Sequence, residues 1–135
     1  MAKKSNASAG PTQRQLRVGE LIRRVLAETL ARGDLHDPDL AHVSVTVGEV
    51  RATNDLRAAV VHVSPLGGVN ADIVIEALNR SKNKHELRRQ MNKSLTLKFS
   101  PELKFVYDHT FDQMDETRRL LDQDAVKQDL ADDEG

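Results

Sequence analysis

Between residues 79 and 93 the sequence reads NRSKNKHELRRQMNK. Arg80, Lys82, Lys84, Arg88, Arg89 and Lys93 stand there against a single acid, Glu86, and Lys98 extends the run. Side chains of this kind bind anions, and above all a phosphate backbone. A nucleic acid is a dense line of negative charge, and cations that neutralise it release its counterions. Arginine adds a planar fork that matches two phosphate oxygens, whereas lysine is a point charge. The competing explanation is a solvated helix face, which accounts for such a run in an arbitrary protein about as often. A second, weaker basic group, Arg14 and Arg17, stands near the start of the chain as auxiliary phosphate contacts. Arg24 nearby is better explained by its four-residue spacing from Glu20, a salt-bridging distance on a helix.

Other chemistry is poorly supplied. The chain has no cysteine, which removes disulfides, thiolate catalysis and cysteine-bound zinc together. His36, His42, His62, His85 and His109 show no metal-ligand spacing, so no metal is expected. His42 and His62 are close enough in a hairpin to face each other, but solvent-facing strand positions explain them more simply. DHTFDQMDE lacks the turn glycine of a calcium loop. PLGGVNAD puts a glycine pair before a helix without the Lys-Ser/Thr ending of a nucleotide loop. No catalytic constellation stands out, so no enzyme and no cofactor are expected. Aromatics are 3% of the chain, and Trp is absent. A row of stacked bases on exposed aromatic rings is therefore out of reach.

These cations need elements to hold them. The chain has 135 residues, enough for one domain. Residues 1–11 are polar and basic, with too little apolar surface to offset the entropy of ordering, and are expected to be disordered. Thr12 is a candidate helix cap. Leu16, Val18, Leu21, Ile22, Val25, Leu26 and Leu30 then follow helical spacing, and Gly33 closes the helix. Val43, Val45 and Val47 alternate as a strand that Gly48 interrupts, marking a bulge. Asn54-Asp55 make a turn, and Ala59, Val61 and Val63 form a second, antiparallel strand. Asn70 is placed to cap a helix whose apolar face is Ile73, Val74, Ala77 and Leu78. Leu87, Met91 and Leu95 give a third helix its apolar face. Leu103, Phe105 and Tyr107 alternate after Pro101 as a last strand. A short amphipathic piece follows from Met114 to Leu121. The end, 122–135, is acidic and expected to be disordered. The order is helix-strand-strand-helix-helix-strand. It predicts an α+β domain over 12–121, a three-stranded sheet covered by helices on one face.

That order and several long motifs resemble the ribosome-binding factor A family. The motifs are RVGELIRRVLAETL in the first helix, DPDLAHVSVTVGEVRATNDLRAAVVHVS through the hairpin, ALNRS and ELRRQMNKSLTLKFSPELKFVYD through the last strand, and RRLL after it. The resemblance runs from about Arg14 to Leu121. It implies a type II KH-like domain that binds the free small (30S) ribosomal subunit and its 16S rRNA during late maturation and leaves before translation. It also implies no catalysis and a link to growth in the cold; a ribosomal protein is a candidate further partner, which the sequence leaves open. No apolar run approaches the ~20 residues of a membrane span, and a cytoplasmic monomer is expected. Two rival readings remain: a generic KH-type single-stranded nucleic-acid-binding module, and a protein-binding adaptor working through the acidic tail.

The family usually separates its second and third helices by an Ala-x-Gly break, where other KH domains carry a Gly-x-x-Gly loop. Counting back from Pro101 without a gap sets Asn83 at the Ala and His85 at the Gly. Asparagine is next to glycine in tolerating a positive φ. Asn83 is therefore expected to carry the break and His85 to open the third helix. Together the resemblance and the charge make Arg80, Lys82, Asn83, Lys84, His85, Arg88, Arg89, Lys93 and Lys98 the expected rRNA-binding residues.

Overall fold

The structure, a computed structural model, describes residues 10–98, 100–110 and 120–121. The expected disorder of 1–11 and of 122–135 lies outside the described residues except for Gly10 and Pro11, and so do Phe99, Phe111 and most of the piece Met114–Leu121. Among the described residues the helices and strands run α1 (Gln13–Arg32), β1 (Val45–Ala52), β2 (Ala58–Pro65), α2 (Ala71–Leu78), α3 (Ser81–Ser94) and β3 (Glu102–Tyr107), with single 3-10 turns at Pro38–Leu40 and Leu66–Gly68. This is the expected α+β order.

The ends of α1 are set by local chemistry. The Thr12 hydroxyl accepts from the Gln15 backbone N–H, and the Gln15 side chain accepts from the Thr12 N–H in return, so two orphan donors are satisfied at once. The same Gln15 amide donates to the Ala52 carbonyl at 3.0 Å, tying the start of the helix to the end of β1. Gly33 closes the helix at φ 72°, a conformation that costs other residues a Cβ clash. Asn70 occupies the cap position of α2, as expected, but it does so at φ 56° and its side chain caps nothing. A left-handed residue turns its side chain away from the first-turn N–H groups that a capping side chain would reach.

The sheet order is β1-β2-β3. β1 and β2 are antiparallel, while β3 lies parallel to β2, Val61 beside Phe105 and Val63 beside Tyr107. A parallel neighbour needs a crossover, and α2 and α3 supply it. The register of the hairpin slips between Val47 and Val50, which sit opposite Val63 and Val61, so one extra residue of β1 is accommodated at Gly48–Glu49. This is the expected bulge. A Cβ at Gly48 would collide with the Asp108 carboxylate, which is folded in over the bulge.

Ile22 and Leu26 of α1, Val74 and Leu78 of α2, and Leu87 and Met91 of α3 are fully buried against Val61, Val63, Leu103 and Phe105 of the sheet. Each such side chain contributes about 1.5–3 kcal/mol on burial. Three residues assigned to apolar faces are open instead. Leu16 is 51%, Leu21 36% and Ile73 47% exposed. Helical spacing fixes which face a residue lies on, but not how far along that face the sheet extends.

Candidate nucleic-acid interface

α2 ends at Leu78 and α3 begins at Ser81, with Asn79 and Arg80 between them. Arg80 is extended, at φ −64° and ψ 141°, and this residue is the break. Extended backbone is open to any L-residue, so the junction requires neither glycine nor a left-handed asparagine. The expectation for Asn83 and His85 is thereby corrected. Asn83 lies inside α3, His85 one turn into it, and the helix is unbroken from Ser81 to Ser94.

What Asn83 does instead is hold the junction together. It is 2% exposed. Its amide donates to the Asp37 carboxylate at 2.8 Å and to the Ala77 carbonyl near the end of α2, which also accepts from the Arg80 N–H, at 2.7 Å. Asp37 belongs to the turn after α1, and its side chain is 1% exposed. It also accepts from Arg80 Nη1 on both oxygens at 2.9 Å and from the Asp39 N–H at 3.0 Å, while Arg80 Nη2 reaches Asp39 at 2.7 Å. Asn79 completes the tie on the other side. It exchanges two hydrogen bonds of 2.9 Å with the backbone of Phe105, as a neighbouring strand would.

The expected cations divide by what they touch. Arg80 is committed to Asp37 and Asp39. Lys82 is exposed and donates to the His36 carbonyl at 3.2 Å. Arg88 is half-buried and donates to the Ser100 carbonyl at 2.9 Å. Arg89 is exposed and pairs with Glu86 at 2.6 Å, one turn back along the helix. Lys84 is half-buried, Lys93 exposed, and neither forms an ion pair or side-chain hydrogen bond among the described residues. Lys82, His85, Arg89 and Lys93 are all exposed and follow one another at helical spacing, so they form the solvent-facing stripe of α3. Lys98 stands apart from that stripe. It shares a groove with Arg14 and Arg17, which the sequence had presented as a separate group. Sequence reasoning missed Asp37 and Asp39, whose only signal was DPD in a turn, and it missed this groove.

Four carboxylates titrate low for identifiable reasons, among them Asp55, which the Arg57 N–H and then the Thr53 hydroxyl pull down. The Asn83 amide, then the Asp39 N–H and Arg80, hold Asp37 down at about 2. Arg23 holds Glu20 at about 2, and Arg89 followed by Gln90 holds Glu86 at about 2. Each lies below its ordinary value of 3.8 or 4.5. A depressed folded-state value favours the folded chain above the ordinary value, and that advantage disappears as pH falls toward the folded one. The melting temperature should therefore be level above about pH 5 and fall between about pH 5 and pH 2. High salt should erase the shares of Glu20 and Glu86, which lie at 46% and 29% side-chain exposure, and leave that of the enclosed Asp37. Thermal scans against pH at low and high salt measure this. A flat profile down to pH 3 contradicts it.

The model of the ribosome-binding factor A family matches residues 14–121, four fifths of the sequence. The chain belongs to the ribosome-binding factor A family. Ribosome-binding factor A of Dinoroseobacter shibae is 62% identical over 125 residues, 93% of this chain and 91% of that protein. The crystal structure of ribosome-binding factor A from Thermus thermophilus overlays at TM-score 0.59, covering 71% of this chain and 97% of that one. At 23% identity it speaks for the fold. Coordinates of the Thermus thermophilus factor fitted into a cryo-EM map of a 30S complex match at TM-score 0.51 and 25% identity, over 65% of this chain and 88% of that one. The resemblance read from the motifs is thus the family the chain belongs to, and the type II KH-like fold implied for ribosome-binding factor A is the one observed. Among the described residues no group of three or more His, Asp or Glu is placed to hold a metal ion, and no helix is long and apolar enough to cross a membrane.

Proposed function

We propose that this chain is a non-enzymatic assembly factor that binds the free small (30S) ribosomal subunit in the cytoplasm and supports late maturation and processing of its 16S rRNA. Membership of the ribosome-binding factor A family carries the reading, and the relative fitted into a 30S complex supports the choice of subunit. The exposed stripe Lys82, His85, Arg89 and Lys93 supports rRNA phosphates as the contacted groups. Glu86 is its one acid, and a half-exposed pair of this kind is weak and screened, so Arg89 exchanges it readily for a phosphate.

The test is sedimentation. The chain should travel with free small subunits, not with whole ribosomes, and should bind short single-stranded RNA far more weakly. With about five phosphates neutralised, the logarithm of affinity should fall against the logarithm of salt with a slope of roughly −3.5 to −4.5. Equal binding to short single strands, or affinity indifferent to salt, would defeat the reading.

A further inference from the structure

The first half of α1, the β1–β2 turn and the segment after α3 enclose an open groove of about 680 Å³. Arg14, Arg17 and Lys98 line it together with Leu21, Leu56 and Leu97. Arg14 and Arg17 are exposed and form no ion pair among the described residues. Leu21 is 36% exposed, and Leu56 is held at φ 60°, an uncommon conformation for a leucine, at the tip of the hairpin. The one carboxylate among the described lining residues, Asp55, is engaged by the Thr53 hydroxyl at 2.8 Å and the Arg57 N–H at 3.1 Å.

Cations alone would bind any anion, and leucines alone would bind any apolar group. A site holding both within one concavity of this size fits a ligand that is flat and apolar at one end and anionic at the other. We propose that the groove takes a single unpaired nucleotide of RNA, its base against Leu21 and Leu56 and its phosphate on Arg14 and Arg17. Among the described lining residues none is aromatic, so the leucine side chains take the base and the guanidinium forks take the phosphate. Asn54, also in the lining, supplies a donor and an acceptor for a base edge. An acidic peptide, which offers no flat apolar face and would bring its carboxylates toward Asp55, fits less well. The inference rests on the RNA-binding reading above and adds to it a second point of contact, on an element other than α3.

The experiment follows the leucine methyl and arginine side-chain NMR signals of the full chain. Adenosine 5′-monophosphate, ribose 5-phosphate, inorganic phosphate and a synthetic peptide of residues 122–135 are titrated in turn. The nucleotide should shift the Leu21 and Leu56 methyls saturably. Ribose 5-phosphate and inorganic phosphate should move only the arginine signals. Leu21→Gln and, independently, Arg17→Gln should each weaken the nucleotide by about fivefold or more. Methyl shifts from inorganic phosphate equal to those from the nucleotide would reduce the groove to an anion site and overturn the proposal. Tighter methyl shifts from the peptide, or none from the nucleotide, would overturn it too. Sedimentation of wild type separates this failure from that of the broader reading: subunit binding by a chain whose groove ignores the nucleotide sinks the groove alone.

Discussion

Asp37→Ala should lower the melting temperature by about 10 °C, the largest loss expected from any single polar substitution in the domain. Asp37 is the acceptor on which the α2–α3 junction converges. It takes two hydrogen bonds from Arg80, one from Asn83 and one from the Asp39 backbone. Its removal leaves an enclosed amide and a guanidinium facing a void, and the cost of a broken buried pair lies chiefly in the groups left behind. Arg80 is 37% exposed and rehydrates in part, whereas Asn83, at 2%, keeps only the Ala77 carbonyl. The cost therefore falls mainly on Asn83. Asp37→Asn should lie between wild type and alanine, because its oxygen still accepts but its NH₂ meets another donor. Arg80→Ala in the Asp37→Ala background should cost little more than Asp37→Ala alone, the non-additivity of residues that share one partner. Thermal melts of the four chains decide it. An Asp37→Ala melting point within about 2 °C of wild type would mean that the node is ornamental and the junction is held by packing.

The node also shows where the sequence was readable and where it was not. Signals closing within a few residues were legible: the Thr12 cap, the left-handed Gly33, the bulge at Gly48, and Pro101 just ahead of β3. Alternation gave the hairpin and the last strand, because burial on one face of a sheet imposes a period of two. The junction was displaced by three residues for a different reason. Between Leu78 and Leu87 there is no apolar residue to fix the phase of either helix, and tolerance of positive φ favours asparagine as the site of a break. The actual break at Arg80 is extended and asks nothing of φ. It is fixed by Asp37, 46 residues from Asn83, and by the backbone of Phe105, 26 residues from Asn79. No local window holds those partners. The same limit applies to the charges. The run 79–93 was plainly basic, but which of its cations were already spent on Asp37, Asp39 or Ser100 depended on parts of the chain that fold against it.

That division yields the second large effect. Lys93→Glu and Arg89→Glu should each weaken small-subunit binding by on the order of tenfold at physiological salt, and each should flatten the salt slope by about one. Both side chains are exposed, so the melting temperature should move by no more than about 2 °C. Arg88→Glu, one position away and equal in formal charge, should instead lower it by about 5–10 °C. Its guanidinium donates to the Ser100 carbonyl, and among the described residues its enclosed Nε has no partner, nor has the Ser100 hydroxyl oxygen. A carboxylate there would face a carbonyl, acceptor against acceptor, in a place that water does not reach freely. From composition alone Arg88 and Arg89 are interchangeable members of one phosphate-binding face, and reversing either should weaken binding without unfolding the chain. The structure makes one of them a strut between α3 and the approach to β3, and the other a surface cation. Melts and subunit affinities of the three variants separate the two roles. An Arg88→Glu chain as stable as wild type but defective in binding would return Arg88 to the interface. A Lys93→Glu chain that binds as wild type would take the α3 stripe out of it.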